Sequence, residues 1–81
     1  PMLEQIIKNK LISALPGAII EVKNTSIEHW NHNTSGAHIF LSIEFPDFIE
    51  MTLIERHRKI HEILKEELKE KIHALKIHII L

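Results

Sequence analysis

The chain contains no cysteine, which excludes disulfide cross-links, a thiol nucleophile and a thiolate metal site together. A soft metal held here would have to draw its sulfur from another molecule. The same absence agrees with a reducing compartment. No cationic stretch followed by an apolar one opens the chain in the manner of an export signal, so the cytoplasm is the expected location. Glycine is scarce: Gly17 and Gly36 lie too far apart to form the Gly-x-x-Gly loop that clamps an RNA backbone. No apolar run approaches the roughly 20 residues that cross a bilayer, so no membrane association is expected. The charges nearly cancel, with 10 Lys and Arg against 11 Asp and Glu and a net charge of −1. That balance argues against holding nucleic acid by bulk electrostatics, although a local basic face remains open. No nucleophile with an adjacent base, no phosphate loop and no paired-carboxylate pocket can be assembled, so the chain is not expected to be an enzyme.

What is present fits one small folded unit spanning residues 1–81. Its apolar fraction is 44% and its charged fraction 26%, ordinary for a globular chain. At this length the core is thin and partner surfaces make up a large share of what function is available. Pro1 ahead of Met2 reads as a residue left by cloning. The unusual feature is seven histidines, at His29, His32, His38, His57, His61, His73 and His78. Neutral imidazole is readily recruited as a metal ligand or a pH-sensitive group.

Leu3, Ile7, Leu11 and Leu15 recur at helical spacing with polar residues between them, which predicts a short amphipathic helix ended by Pro16-Gly17. Ile20 and Val22 alternate with Glu21 and Lys23 in a strand that runs to about Ile27. Residues 29–37 lack periodicity and read as the loop of a hairpin. Ile39, Leu41, Ile43 and Phe45 then alternate with His38, Phe40, Ser42 and Glu44, the cleanest strand in the chain. Pro46-Asp47 breaks it. Thr52 is the expected N-cap of a long helix whose Leu53, His57, Ile60, Leu64 and Leu68 fall on one stripe, with Lys69-Glu70-Lys71 prolonging or restarting it. From His73 to Leu81 a last strand places Leu75, Ile77, Ile79 and Leu81 on one side. The order is α-β-β-α-(α)-β. A three-stranded sheet covered by helices on one face buries these stripes most economically, giving an α+β fold with Ile20, Val22, Ile39, Leu41, Ile43, Leu75, Ile77 and Ile79 on the core side.

Several histidines have structural as well as chemical readings. His57 lies on the apolar stripe, where a packed imidazole hydrogen-bonded to the sheet or a loop is favoured over a catalytic base. His57 and His61 stand one turn apart, but Arg58 occupies the position where a zinc-protease helix needs its general-base glutamate. His78 faces away from the apolar side of its strand. Arg56, Arg58 and Lys59 with Lys65 offer a cationic helix face for a phosphate backbone or an acidic partner. Interleaved Glu55, Glu62 and Glu66 also permit a solvated, self-neutralising face. Trp30, in the polar loop, either marks an interaction surface or packs on Ile27 or Phe40.

Taken together, Phe48, Arg56-His57-Arg58, Leu64, Glu66-Glu67-Leu68 and His73-Ala74-Leu75 resemble the BolA family signature. Glu21-Val22, Ser26, His29 and His38 extend the resemblance upstream, so that it covers about Ile19 to Ile77. The combined spacing is specific where any one triplet is weak. The chain departs from the family in having Glu50 where a glycine is usual and His61 where a tyrosine is common. These changes touch a local turn and a surface contact.

The resemblance implies a class II KH-like fold and a role in iron homeostasis: binding a monothiol glutaredoxin and sharing a [2Fe-2S] cluster with it. The partner and its glutathione would supply sulfur. Histidines of this chain would complete the site, since neutral imidazoles can replace thiolates on one iron of such a cluster. The resemblance points to His73 first and to His29 and His38 as the other family histidines, with His32 ranked behind them in the same loop. Without it, His73 reads as a junction residue capping a backbone carbonyl, and the loop histidines as solvated. The alternative function is a DNA-binding transcriptional regulator using the Arg56–Lys59 helix. The free protein is expected to be a monomer or a weak homodimer.

Overall fold

A computed structural model describes residues 2–25 and 36–81. The element order is α1 (Leu3–Ala14), β1 (Ile19–Asn24), β2 (Ala37–Glu44), a 3₁₀ turn (Pro46–Glu50), α2 (Leu53–Ile63), α3 (Lys65–Glu70) and β3 (Ile72–Ile80). This is the predicted α+β arrangement. β1 pairs antiparallel with β2, and β2 pairs parallel with β3, which places β2 at the centre of the three-stranded sheet.

The sheet buries one face. Ile20, Ile39, Leu41 and Ile43 are buried in the core, while Val22, Leu75, Ile77 and Ile79 are half-buried against it, as their alternation predicts. α1 and the Leu15 that follows it add Ile7, Leu11 and Leu15 to that core. The opposite face carries exposed Ile19, Glu21, Lys23, Lys76, His78 and Ile80. Phe40 stacks on His78 there, with ring centroids 6.5 Å apart.

Several details differ from the sequence-based expectation. β3 runs Ile72–Ile80 where His73–Leu81 is expected, and Leu81 is exposed. β1 ends at Asn24, and the stretch proposed to carry it on to Ile27 runs into residues 26–35, outside those described. β2 begins one residue earlier than expected, at Ala37, which pairs with Ile72. The long helix breaks at Leu64 and not near Lys69, giving α2 and α3. The predicted stripe is also rotated: Ile60 and Leu64 are buried, but Leu53 is exposed and His57 only half-buried. Phe48 accounts for the rotation. Its ring is fully buried and meets Phe45 edge-on, with centroids 5.4 Å apart. Its carbonyl accepts a 2.6 Å bond from Arg56 Nε, which fixes the rotation of the first turns of α2.

Thr52 caps α2 as expected and forms a full capping box. Its hydroxyl accepts from the Glu55 amide at 3.1 Å, and its own amide donates to Glu55 Oε1 at 2.8 Å. Glu50 needs no glycine, because no described residue other than glycine has a positive φ. The Glu66-Glu67-Leu68 run is architectural in part. Glu67 is buried and accepts a 3.0 Å bond from Lys10 Nζ, which ties α3 to α1.

The Lys10–Glu67 contact carries a pH signature. The bond from Lys10 to Glu67 is the largest influence on the ammonium and holds its pKa above the ordinary 10.5. A lysine pKa raised in the folded state contributes stability that is complete below 10.5 and lost as pH rises through the folded value. Lys10→Met should therefore lower the urea midpoint at neutral pH, with the difference from wild type shrinking above pH 10.5. A difference independent of pH would show that the ion pair is not its source. Phe48→Ala should cost about 3–5 kcal/mol in the same unfolding experiment, as for other large core aromatics.

Candidate functional site

Two of the predicted ligand histidines, His38 and His73, lie at the start of the parallel β2–β3 ladder. Ala37 pairs with Ile72 and His38 with Ala74, so His73 is an extra residue on β3. Strand geometry demands this bulge. Ile72 and Leu75 both face the core but are separated by an odd number of positions, and a regular strand would send them to opposite faces. The additional residue corrects the phase and turns both His73 and Ala74 outward, where they are exposed.

The bulge sets His73 beside His38, with ring centroids 5.3 Å apart and planes inclined by 50°. His38 is half-buried and His73 exposed. The backbone of His38 is held from the β1 side: its carbonyl accepts from the Thr25 amide at 2.7 Å and from the Thr25 hydroxyl at 3.1 Å. On the other side, the Ala37 amide donates to the Lys71 carbonyl at 2.9 Å.

Gly36 is required for two reasons. Its φ of +92° lies in the left-handed region, and a Cβ there would come within 2.9 Å of the His73 amide nitrogen and 3.1 Å of the His73 Cβ. From the sequence alone Gly36 reads as a loop residue. The odd Ile72-to-Leu75 spacing just behind it was the available signal of the bulge.

The pair is not a complete metal site by itself, since the described residues contain no group of three or more His, Asp or Glu placed to hold an ion. Two imidazoles, one exposed and one half-buried, suit a site whose remaining ligands come from outside the chain. His29 and His32, the other candidate ligands, and Trp30 lie outside the described residues.

The candidate partner surface divides. Arg56 is half-buried and engaged with the Phe48 carbonyl, whereas Arg58 and Lys59 are exposed on α2. His57 and His61 line an open groove along α2 and α3, and His78 is exposed on the open face of the sheet.

The family model described as BolA-like protein matches residues 11–80. The chain belongs to the BolA family. It is 31% identical over 77 residues to the DNA-binding transcriptional regulator BolA of Haemophilus influenzae, covering 95% of this chain and 75% of that protein. It is 36% identical over 74 residues to BolA-like protein 1 of Mus musculus, covering 91% of this chain but only 54% of the mouse protein. Among solved structures, the BolA domain of SufE1 from Arabidopsis thaliana superposes with a TM-score of 0.83 at 33% identity, covering 98% of this chain and 91% of that one. The BolA relatives carry regulator or BolA-like names. No described helix of this BolA chain is long and apolar enough to cross a membrane.

The two glycines of positive φ provide an internal control for the site. Gly17 has a φ of +89° with nothing within 4 Å of a Cβ, whereas Gly36 combines a similar φ with the close approach to His73. Gly17→Ala should carry only the backbone cost of about 1–2 kcal/mol. Gly36→Ala should cost more and displace the His73 and His38 resonances in a nitrogen–proton NMR spectrum. Equal costs with an unmoved His73 would contradict the packing described.

Proposed function

We propose that the chain is a non-catalytic adaptor in iron–sulfur cluster handling and iron homeostasis, which binds a monothiol glutaredoxin and completes a shared [2Fe-2S] site with histidine. The observation that carries this reading is the outward-turned His73 beside His38, on a chain that has no thiolate of its own. His73 is the first ligand. His38, beside it, is the second on this reading, with His29 and His32 as loop alternatives. The glutaredoxin and its glutathione supply the sulfur. Imidazole on one iron of such a cluster raises its reduction potential relative to all-thiolate ligation. What the chain itself contributes is position: the bulge presents His73 to a partner, and the Thr25 bonds hold the His38 backbone in place. On this reading the protein works in the cytoplasm.

Mixing the protein with cluster-loaded monothiol glutaredoxin should change the visible circular dichroism of the cluster, and His73→Ala should abolish the change. A mutant response identical to wild type would overturn the ligand assignment.

A second reading, a transcriptional regulator that binds DNA through the Arg56–Lys59 helix, is favoured by the name of the Haemophilus relative. Exposed Arg58 and Lys59 support it; the engagement of Arg56 with Phe48 weakens it. Retardation of duplex DNA that falls steeply with added salt and is reduced by Arg58→Ala is the expected result. No retardation at low salt would dispose of this reading.

A further inference from the structure

A wide concavity lies away from the histidine pair. It is an open groove of about 830 Å³ along α2 and α3, and neither His38 nor His73 lines it. Its upper end is apolar, with Leu53 and Ile54 59% and 61% exposed on the first turn of α2. The break at Leu64 brings α3 into the same wall, so that Leu68 adds apolar surface at the far end. Large side chains this exposed within one concave surface mark a place where another molecule removes them from water.

The rim is cationic. Arg58, Lys65 and Lys69 line the groove against a single carboxylate, Glu62, which lies 3.7 Å from Lys65. The groove thus carries three positive charges to one negative on a chain whose net charge is −1. Its occupant should combine apolar and acidic groups.

The backbone of the groove decides the form of that occupant. Its walls are helical, with their amides and carbonyls turned to internal bonds, so they cannot take up an extended peptide by strand addition. An α-helix laid here satisfies its own backbone without any bond from such walls. We propose that the α2–α3 groove docks an acidic amphipathic helix of a partner protein, its apolar face over Leu53, Ile54 and Leu68 and its carboxylates against Arg58, Lys65 and Lys69. The apolar floor favours this occupant over nucleic acid, whose phosphates would use the cations but leave Leu53 and Ile54 uncovered.

The test is titration of the protein with a fluorescein-labelled synthetic helix carrying leucine along one face and glutamate on both flanks. Saturable binding is expected, weakened about tenfold or more by Ile54→Glu and by Lys69→Glu, in line with losses at interface anchors and charge pairs. Both side chains are exposed, and far-ultraviolet circular dichroism with a thermal transition checks that each variant stays folded. On the wild-type protein, amide shifts caused by the peptide should fall on α2 and α3 and spare residues 72–76. Absence of saturable binding at millimolar peptide, equal binding by both variants, or equal binding of a lysine-flanked peptide would overturn the proposal. So would duplex DNA that occupies these residues more tightly than the peptide.

Discussion

A β-strand turns successive side chains to opposite faces, and β3 must satisfy that rule while burying both Ile72 and Leu75. The core needs Ile72 to close its end beside Ala37, and it needs Leu75, Ile77 and Ile79 opposite β2. Only an inserted residue reconciles the two. The rest of the candidate site follows from that residue: His73 and Ala74 both face outward, His73 lies beside His38, and Gly36 can carry no side chain because the His73 backbone occupies its space.

The remaining elements stabilise this arrangement at a distance. Lys10 and Glu67 join α1 to α3, which leads directly into β3 through Lys71. Phe48 and Arg56 fix the rotation of α2, so that Ile60 and Leu64 reach the core while Leu53 and Ile54 are left in the groove. The family signature therefore separates by role. Phe48, Arg56 and Glu67 are mainly architectural, whereas His73 is exposed at a point where architecture alone does not need an imidazole.

The fold was legible because its sheet obeys strict alternation. Ile39, Leu41 and Ile43, and then Leu75, Ile77 and Ile79, needed only period two to be assigned to the core. Thr52 and Glu55 announced the start of α2 by their capping-box spacing. The helical stripe was harder to read, because Leu53 and His57 occupy positions that periodicity sends inward and tertiary packing turns outward. Phe48 fills the interior near them, and nothing local announces that. Likewise, the proximity of His38 and His73 depends on a parallel pairing between strands 35 residues apart and on a bulge within it, which no local pattern contains. The resemblance to BolA proteins singled out both histidines without showing that they touch.

On the proposed function, the bulge that the core requires also offers His73 as a ligand at a site completed by another protein. Hyperfine spectroscopy of the reduced cluster in a complex with glutaredoxin, using protein labelled with nitrogen-15 at histidine, tests it most directly. Couplings to histidine nitrogen are expected, one of which His73→Ala removes while His57→Ala and His78→Ala leave all of them intact. A cluster with no histidine coupling, or one whose full set of couplings survives the loss of His73, would contradict this assignment.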